Sequence, residues 1–536
     1  MQQAMIVAPQ PEAVEAGAII LKQGGNAVDA AIACALVQGV VDPQMCGIAG
    51  FGSMQVFFPS RDAHTFIDFH GRAPAATKPD MWAGLIEGET RDGFGFILKG
   101  RVNDVGYQSI TVPGSLKAYA ESQREFGALS WADVVAPAIA HAEAGFVVRP
   151  HVYFWWTEPD TMGRVATRER LAATEAGRKI YFDADGELHR PGARVHNPDM
   201  ARTLRRIAEH GPEIFYSGEI AEEIAADMAA NGGLLSYDDL ARYETTRVAP
   251  LWGSYRGHGI ATNNPPGGGI MLLEMLNILE HFDLAALGHN STAYIRIVAE
   301  AMKRGTVDKD AHVGDPAFFD VPVAKLTDKA FAAEAASAIR RGDKTVVPRF
   351  AGGAAESVNT THISVIDRQG NAVSMTHSLG MPSGVVSPGL GFMYNGCMGV
   401  FDPRPGHADS LAPGKSRFSA MCPSIVFKDD VPFLVIGAPG GTNINIGVLQ
   451  VILNVIDFDM GITEAVVAPR FSANSNLIDV SNRIPAFVTD ALAADGYGIQ
   501  RSHLSYTFAA VHAIRIDDGQ PTGAADPGHD GMALAV

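Results

Sequence analysis

The sequence predicts a mixed α/β protein, built either as one large layered unit or as two lobes. With 536 residues, the chain is longer than a single simple core usually requires. Apolar residues account for 47% and charged residues for 19% of it, an ordinary composition for a folded globular protein. Segments with helical spacing of apolar residues are interspersed with short β-branched and aromatic runs, so helices and strands are both expected.

The first helical segment covers residues 12–42. EAVEAGAIILKQ carries apolar residues at helical spacing, and AVDAAIACALVQGVV resumes the same pattern. Gly24 and Gly25 lie between the two stretches and indicate a break, since glycine commonly follows the end of a helix. We therefore predict a pair of helices at the N-terminus.

Two short runs after this pair, SMQVFFPS and HTFIDF, are rich in aromatic and β-branched residues and predict strands. They lead into the loop HGRAPAATKPD. The next stretch, about residues 112–310, is predicted to be mainly helical. Its breaks are expected at glycine and proline positions: Pro113, Gly127, Pro212, Pro265 and Pro266.

The C-terminal third is predicted to be richer in strands. THISVID and AVSMTHS flank the short turn RQGN, an arrangement typical of a hairpin. Two further strand-like runs precede a glycine turn and a helix: SIVFKDD, PFLVIGA, PGGTN and INIGVLQVILNVIDF.

Charge and motif spacing exclude several functions. The formal net charge of −17 opposes binding to a phosphate backbone, so nucleic acid is not an expected partner. The four cysteines contain no CxxC pair, which favours buried free thiols over a zinc site or a disulfide framework. His141, His151 and His196 have no partner at ligand-like spacing, and neither GGGIM nor PGGTN has the Lys and Ser/Thr of a phosphate-binding loop. No metal and no cofactor are predicted.

No membrane segment is predicted either. The N-terminal residues lack a basic stretch followed by an apolar run, and no uninterrupted apolar stretch approaches the roughly 18 residues needed to span a bilayer. The expected location is cytoplasmic, unless a leader has been removed ahead of Met1.

Thr360 heads a predicted buried strand and follows RFAGGAAESVN, a glycine-rich segment with the composition of a flexible tether. Amide hydrolysis by a threonine hydroxyl needs a base beside the hydroxyl and donors for the oxyanion. A free α-amino group on the same threonine supplies that base, once the hydroxyl has attacked the preceding carbonyl and the peptide bond has been cut. By itself, NTTH ahead of a strand is more typical of a plain strand threonine after an asparagine turn.

Longer stretches decide between these two interpretations. In order along nearly the whole chain they are EAGAIILKQGGNAVDAAIACALVQGVVDP, VPGSLKAYAESQREFGALSWADVVAPAIAHAEAGF, GGLLSYDDLARYETTRVAPLWGSYRG, PPGGGIMLLEMLNILE, HVGDP, NTTHISVIDRQGNAVSMTHS, APGGTN and GAADPGHDG. Together they resemble the γ-glutamyltranspeptidase family of N-terminal-nucleophile hydrolases. The sixth stretch is the most specific, because the family has its cleavage site and nucleophile there.

The resemblance implies a four-layer αββα sandwich and a self-cleaving precursor. The cut falls between Asn359 and Thr360, giving a large subunit of residues 1–359 and a small subunit of residues 360–536 that form one intertwined structure. Thr360 aligns with the nucleophile. Ser378 aligns with a second family threonine whose hydroxyl bonds the nucleophile. The backbone N–H groups of Gly440 and Gly441 match the oxyanion hole, where glycine permits close approach to the reacting carbonyl.

The sequence departs from the family where members that act on γ-glutamyl compounds hold the α-carboxylate and α-ammonium groups. His70 stands at the usual arginine position, with Arg72 displaced by two residues. Gly380 replaces an asparagine, and Val400 replaces the aspartate expected to hold the ammonium. Of a serine pair, Ser419 remains and the second member is Ala420.

These departures predict an acyl group without an α-ammonium, because a buried ammonium lacking a carboxylate partner costs several kcal/mol. Arg72, Ser419 and His70 are candidates for holding a carboxylate, and Gly380 for lining the same site. The predicted substrate is a small carboxylate-bearing amide: oxamate-like, a dicarboxylic monoamide, or an acylase-type compound. The alternatives are a γ-glutamyltransferase or glutathione hydrolase, and an inactive unprocessed relative with a binding role. A homo-oligomer of processed heterodimers also stays open.

Two histidines near the nucleophile are assigned to structure rather than to catalysis. His377 adjoins Ser378, but alternation along a strand points it to the opposite face. His362 is expected to support the strand or the self-cleavage geometry, since the terminal amine already serves as base.

Overall fold

The computed structural model describes residues 1, 3–91, 93, 95–160, 163–348 and 360–536. The glycine-rich segment predicted to be a tether, and Asn359 of the predicted cleavage site, lie outside these residues. The structure therefore describes the strand that Thr360 begins, and not the chain immediately before it.

The helices of the described residues are α1 Pro11–Lys22, α2 Ala27–Val41, α3 Ser115–Phe126, α4 Trp131–Ala144, α5 Pro150–Thr157, α6 Thr167–Leu171, α7 Glu175–Tyr181, α8 Pro198–His210, α9 Glu213–Ser217, α10 Glu219–Ala230, α11 Tyr237–Ala241, α12 Gly269–Leu279, α13 Leu284–Leu287, α14 Thr292–His312, α15 Val323–Leu326, α16 Lys329–Arg341, α17 Ile444–Ile456, α18 Ile462–Val467 and α19 Ala486–Ala494.

The strands are β1 Met5–Ala8, β2 Phe51–Phe58, β3 Ala63–Phe69, β4 Ile86–Glu89, β5 Phe96–Leu98, β6 Phe146–Val147, β7 Arg194–Val195, β8 Thr246–Val248, β9 Leu251–Tyr255, β10 His258–Thr262, β11 Thr360–Ile366, β12 Ala372–Ser378, β13 Pro382–Val386, β14 Met393–Asn395, β15 Ser424–Lys428, β16 Val431–Gly437, β17 Phe471–Ser472, β18 Leu477–Val480, β19 Gly498–Arg501, β20 His512–Asp517, β21 Gln520–Ala525 and β22 Met532–Ala535.

The predicted N-terminal helix pair is confirmed, and local chemistry explains its break. Gly24 has a φ of +95°, a conformation that glycine adopts without a steric penalty. Asn26 then caps α2, because its side-chain oxygen accepts hydrogen bonds from the backbone N–H groups of Val28 and Asp29.

Two antiparallel sheets form the middle of the molecule. One has the order β22-β1-β11-β12-β2-β3-β8, and the other has the order β21-β20-β16-β15-β10-β9. Alternation of side chains gives each sheet two buried faces. Val365 faces a helical layer that includes α1 and α2, whereas its neighbour Ile366 joins the apolar layer between the sheets. Leu434 and Val435 divide in the same way on the second sheet, whose outer face packs on α12, α14 and α17.

The order of layers is therefore helix, sheet, sheet, helix, which confirms the predicted αββα sandwich. Strands from both sides of the predicted cut share each sheet. β1 precedes residue 359 and pairs with β11 and β22, which follow it, and β2 likewise pairs with β12. In the second sheet, β10 pairs with β15 across the same boundary. The two predicted subunits would thus stay joined by backbone hydrogen bonds after a cut.

One part of the helical prediction needs correction. The stretch of residues 112–310 contains β8, β9 and β10, and the last two are the edge of the second sheet. β9 and β10 are short and partly exposed, with Trp252 48% exposed, so they lack the continuous apolar run of a central strand. Edge strands of this kind carry a weak sequence signal.

Cys34, Cys46, Cys397 and Cys422 are all free and buried, as predicted. Within the ranges that the structure describes, no helix has both the length and the apolar character needed to cross a membrane. The same ranges contain no cluster of three or more His, Cys, Asp or Glu side chains arranged to hold a metal ion.

Candidate active site

The hairpin of β11 and β12 places Thr360 opposite Ser378. Asp367 closes the turn, since its N–H donates to the Asn371 carbonyl at 3.0 Å and its carboxylate accepts from the N–H of Gln369 at 2.9 Å. This short turn fixes the register, in which Thr360 pairs with Ser378. The two side-chain oxygens lie 3.0 Å apart, within hydrogen-bond distance.

Both hydroxyls are buried: Thr360 is 6% exposed and Ser378 is fully buried. Ser378 Oγ also accepts a hydrogen bond from the N–H of Gly380 at 2.7 Å. Gly380 has a φ of +69°, and a Cβ there would lie 3.0 Å from the Cys397 sulfur. Glycine is therefore required at this turn both for its conformation and for space. The turn holds the Ser378 oxygen toward Thr360.

A glycine turn precedes α17 near the same point. Gly440 has a φ of 142° and Gly441 a φ of 55°. A Cβ on Gly440 would lie 2.6 Å from Ala509 Cα, so a side chain would not fit. Consecutive N–H groups in such a turn, ahead of a helix N-terminus, favour negative charge. This geometry suits the predicted oxyanion role of the two glycines, which stays a prediction.

Thr360 opens into a small pocket, here called the Thr360 pocket. Its lining residues are Phe51, Arg164, Thr360, Gly380, Met381, Val400, Arg417, Ser419, Ala420, Met421, Gly441 and Ile444. Two of these described residues are arginines and none is Asp or Glu. The charged side chains among these described lining residues are therefore cationic.

Arg417 is the pocket cation that sequence analysis missed. It is 3% exposed, and its guanidinium lies 4.6 Å from the centroid of the Phe51 ring. One of its N–H groups donates to the Phe418 carbonyl at 2.6 Å. Its spacing from Ser419 could have identified it from the sequence. Arg417 lies two residues before Ser419, and positions i and i+2 of an extended segment share a face.

Arg164, the second pocket cation, belongs to a buried charge cluster. Its guanidinium lies 3.9 Å from Asp104, which Arg170 contacts at 2.5 Å. Burial opposes ionisation of Asp104, but the two guanidiniums more than offset it and hold the pKa of Asp104 below its usual value. No sequence motif surrounds Arg164 that would have indicated this position.

Two predicted substrate-binding residues, Arg72 and His70, are not among the described residues that line the Thr360 pocket, and their binding role stays a prediction. Arg72 donates to the Glu244 carbonyl at 3.0 Å, and its guanidinium lies 5.3 Å from the Tyr243 ring centroid. His70 is paired with Asp68 at 2.5 Å. Its ring lies 5.8 Å from the ring of Phe51. Both side chains are held by neighbours within residues 1–359, and neither lines the pocket as described.

The remaining predicted positions do converge on the pocket. Gly380, Val400, Ser419 and Ala420 all line it together with Thr360. The three positions at which the sequence departs from the family pattern by losing a polar side chain thus line the same pocket as Thr360. Val400 is 8% exposed, so a charge beside it would be largely desolvated.

The two neighbouring histidines are structural, as predicted. His377 bonds to Gln38 at 2.8 Å and to the Tyr119 hydroxyl at 2.7 Å, on the face away from Ser378. His362 bonds to the Thr376 and Ser364 hydroxyls within the sheet. Burial lowers the pKa of each to about 3, so both rings are neutral at pH 7.

The two-sheet sandwich, with a buried threonine at the start of a central strand and a glycine turn beside it, is the architecture of N-terminal-nucleophile hydrolases. Comparison with known proteins then gives the family. The sequence profile of Gamma-glutamyltranspeptidase matches residues 13–536, and the chain belongs to this family. It is accordingly an amidohydrolase-type enzyme of a self-processing class.

Individual relatives also match nearly the whole length of the chain. The chain is 38% identical over 539 residues to Acylase ACY 1 proenzyme of Pseudomonas sp. (strain V22), covering 99% of this chain and 93% of that protein. It is 33% identical to the Glutathione hydrolase proenzyme of Escherichia coli (strain K12), covering 98% and 90%. The crystal structure of cephalosporin acylase from Bacillus halodurans superposes with a TM-score of 0.86 at 30% identity, covering 99% and 96%.

Replacing Ser378 by alanine is expected to slow both self-cleavage and hydrolysis, by roughly 10- to 100-fold. The substitution removes the hydroxyl 3.0 Å from Thr360 Oγ and with it a hydrogen bond that orients the nucleophile. Ser378→Thr keeps the hydroxyl and should stay within a few-fold of the native rates. The measurements are the half-time of precursor loss on denaturing gels and kcat of the processed enzyme.

The matched control is Ser374→Ala. Ser374 is another buried serine of β12, and its hydroxyl donates to the Ile436 carbonyl at 2.9 Å, away from the nucleophile. Ser374→Ala should lower the free energy of unfolding by about as much as Ser378→Ala does, while self-cleavage and hydrolysis keep their native rates. Equal rate losses in the Ser374 and Ser378 variants would show that Ser378 acts only through the sheet.

Proposed function

We propose that the chain cuts itself between Asn359 and Thr360 and then hydrolyses the amide bond of a small amide whose acyl group carries a carboxylate and no α-ammonium. Thr360 is the nucleophile, and residues 1–359 and 360–536 are the two subunits. The observation that carries the substrate proposal is the lining of the Thr360 pocket, which has Arg164 and Arg417 but no carboxylate among its described residues.

The pocket selects by charge. A carboxylate on the acyl group gains a charge-assisted hydrogen bond from a guanidinium. An ammonium in the same place meets two guanidiniums, of which that of Arg164 lies near Asp104, while Val400 and Ala420 offer it no acceptor side chain. Like charges in a desolvated site cost several kcal/mol. Arg417 replaces Arg72 as the proposed carboxylate-binding residue, with Ser419 beside it.

The proposed reaction proceeds through an acyl-threonine. The free α-amino group of Thr360 takes the proton from the hydroxyl as it attacks the amide carbonyl. The Gly440 and Gly441 N–H groups stabilise the resulting oxyanion. The amine leaves with the proton, and water then attacks the ester to release the carboxylic acid and restore the hydroxyl. Ser378 orients the hydroxyl for the first attack; in the second step the same oxygen is the leaving group of the ester.

The test of substrate class compares two chromogenic anilides that differ only in the α-amino group. We expect glutaryl-p-nitroanilide to have a kcat/KM at least tenfold higher than γ-glutamyl-p-nitroanilide, because tenfold corresponds to about 1.4 kcal/mol and the charge conflict costs more. Release of p-nitroaniline by the processed enzyme measures both. A Val400→Asp variant provides the matched comparison. Its carboxylate can accept a hydrogen bond from the α-ammonium, so the ratio of kcat/KM for the glutaryl over the γ-glutamyl anilide should become smaller.

Turnover of the γ-glutamyl compound at an equal or higher rate would overturn the substrate proposal. It would favour the alternative of a γ-glutamyltransferase or glutathione hydrolase, the activity that one group of relatives carries in its name. The relatives named acylases support the present choice. An inactive binding protein, the second alternative, would give a single uncut band with Thr360 intact.

A further inference from the structure

A second pocket lies on the other side of the residues that support the glycine turn. It is formed by α5, by residues 504–510 and by the turn at Pro527–His529. Its volume is about 260 Å³, and one side is open to solvent. For comparison, an apolar cavity of about 150 Å³ suffices to hold benzene. This space, here called the aromatic pocket, contains none of the residues of the Thr360 pocket.

The walls of the aromatic pocket are mainly flat rings. Phe154, Trp155 and Tyr506 line it, together with the imidazoles of His151 and His529. The rings of Phe154 and Trp155 meet edge to face, with centroids 4.7 Å apart. Such walls favour a flat, aromatic occupant, because offset or edge-to-face ring contacts add to the burial of apolar surface.

His529 gives the pocket one specific polar contact. Its side chain is 8% exposed, and within the described part of the chain no donor or acceptor pairs with its imidazole. Its ring lies 4.9 Å from that of His151, whose Nε2 already accepts the Trp155 indole N–H at 3.0 Å. The ring nitrogens of His529 are not sealed from solvent, so a ligand in the pocket can form a hydrogen bond with them.

The charge state of the pocket narrows the ligand class further. Burial, with the nearby His151, His512 and Arg470, lowers the pKa of His529 well below its usual value, so its ring is neutral at pH 7. The carboxylate of Asp526, which lines the pocket, is paired with Arg470. Neither sign of charge is in excess at the pocket floor, which disfavours an ionic ligand.

The inner wall of the pocket is also the support of the oxyanion turn. Ala509 and Ala510 line the pocket, and the N–H of Ala510 donates to the Pro439 carbonyl at 3.1 Å. Ala509 lies so close to Gly440 that no Cβ fits between them. Ala509 has a φ of 71°, and its carbonyl accepts a hydrogen bond from Arg470 at 2.8 Å. This hydrogen bond holds Ala509 in place against Gly440. A ligand on one side of these two alanines therefore touches the support of the catalytic turn on the other.

We propose that the aromatic pocket is a second ligand site, which binds a neutral aromatic molecule carrying one hydrogen-bonding group and changes the turnover rate through Ala509 and the Gly440–Gly441 turn. The effect on turnover rests on the proposed oxyanion role of the two glycines, whereas binding itself does not. The two parts are therefore tested separately.

Binding is tested by titrating the processed protein with phenol and with benzene in a calorimeter. We expect saturable binding of phenol, about tenfold tighter than that of benzene, as a hydrogen bond to His529 implies. His529→Leu should abolish the difference between the two ligands by weakening phenol alone. His210→Leu, at a surface histidine whose side chain is 62% exposed, is the matched control and should bind phenol as the native protein does.

Tyr506→Ala gives an independent check if the His529 variant fails to fold. Tyr506 is 38% exposed at the pocket rim, so its loss should spare the fold and weaken both phenol and benzene. Absence of saturable phenol binding to the native protein, or unchanged binding in both variants, would overturn the site.

Coupling is tested with the chromogenic amide at saturating phenol. We expect kcat to change several-fold while KM stays constant, because the N–H groups of the Gly440–Gly441 turn would act on the oxyanion of the transition state and not on the bound substrate. A rise in KM alone would place phenol in the Thr360 pocket and overturn the proposal. Saturable binding with unchanged kcat and KM would overturn the coupling.

Discussion

Thr360→Ala is expected to leave the chain as a single band of 56.8 kDa and to lower amide hydrolysis by about 10⁴-fold or more. The native chain should instead separate into two fragments, the smaller beginning with TTHIS. Without the hydroxyl there is no attack on the preceding carbonyl, and without the cut there is no free α-amino base. The substitution therefore removes the nucleophile and the base together. Denaturing gels, N-terminal sequencing and p-nitroaniline release measure the three consequences.

The fold should survive this substitution. Thr360 makes one side-chain hydrogen bond to Ser378, which contributes about 1 kcal/mol to the free energy of unfolding. Thr360→Ser keeps a hydroxyl and should still be cut. Thr361→Ser is the matched control, since it keeps the bond from Gln38 to the residue-361 hydroxyl and leaves Thr360 unchanged. A Thr360→Ala chain that is cut at the same bond would disprove self-cleavage by Thr360.

The geometry around Thr360 was predictable because it depends on local chain features. The family resemblance predicted that Ser378 lies beside Thr360, and in the structure a short turn closed by Asp367 fixes this pairing. The same alternation turns His377 away toward Gln38. Local periodicity likewise predicted the N-terminal helix pair and α17. The layer order followed from the family resemblance, since local patterns do not specify how two sheets stack.

The charged lining of the pocket was not predictable in the same way. Arg417 and Arg164 are 253 residues apart in number but meet in one cavity, and neither lies in a helix or strand. Their placement depends on how irregular segments cross, which no periodicity records. Arg72 was favoured because it stands near a family arginine position, yet its guanidinium is held by Glu244 and Tyr243. The sequence position therefore pointed to an arginine that does not line the pocket as described, while Arg417 does.

Arg417→Met is expected to lower kcat/KM for glutaryl-p-nitroanilide by roughly 100-fold. Methionine keeps an apolar side chain against Phe51 but removes the buried positive charge. Losing one partner of a buried, hydrogen-bonded charge pair costs about 2–5 kcal/mol, which corresponds to about 30-fold or more. Arg417→Lys keeps the positive charge but lacks the planar guanidinium, so its kcat/KM should lie between those of the native protein and Arg417→Met. Rates are compared on fully cut protein, so that a defect in self-cleavage is not counted as a defect in hydrolysis.

Two comparisons separate carboxylate binding from a merely structural effect of Arg417. Butyryl-p-nitroanilide lacks the carboxylate, so its hydrolysis should change little in Arg417→Met, whereas a distorted site would slow both anilides equally. Arg72→Met is the matched variant at the position first favoured by sequence, and it should leave glutaryl turnover nearly unchanged because Arg72 lies outside the Thr360 pocket. The reverse result, with Arg72 essential and Arg417 dispensable, would mean that the acyl carboxylate binds on the His70 side of Phe51. The pair of variants thus decides which arginine binds the carboxylate of the acyl group.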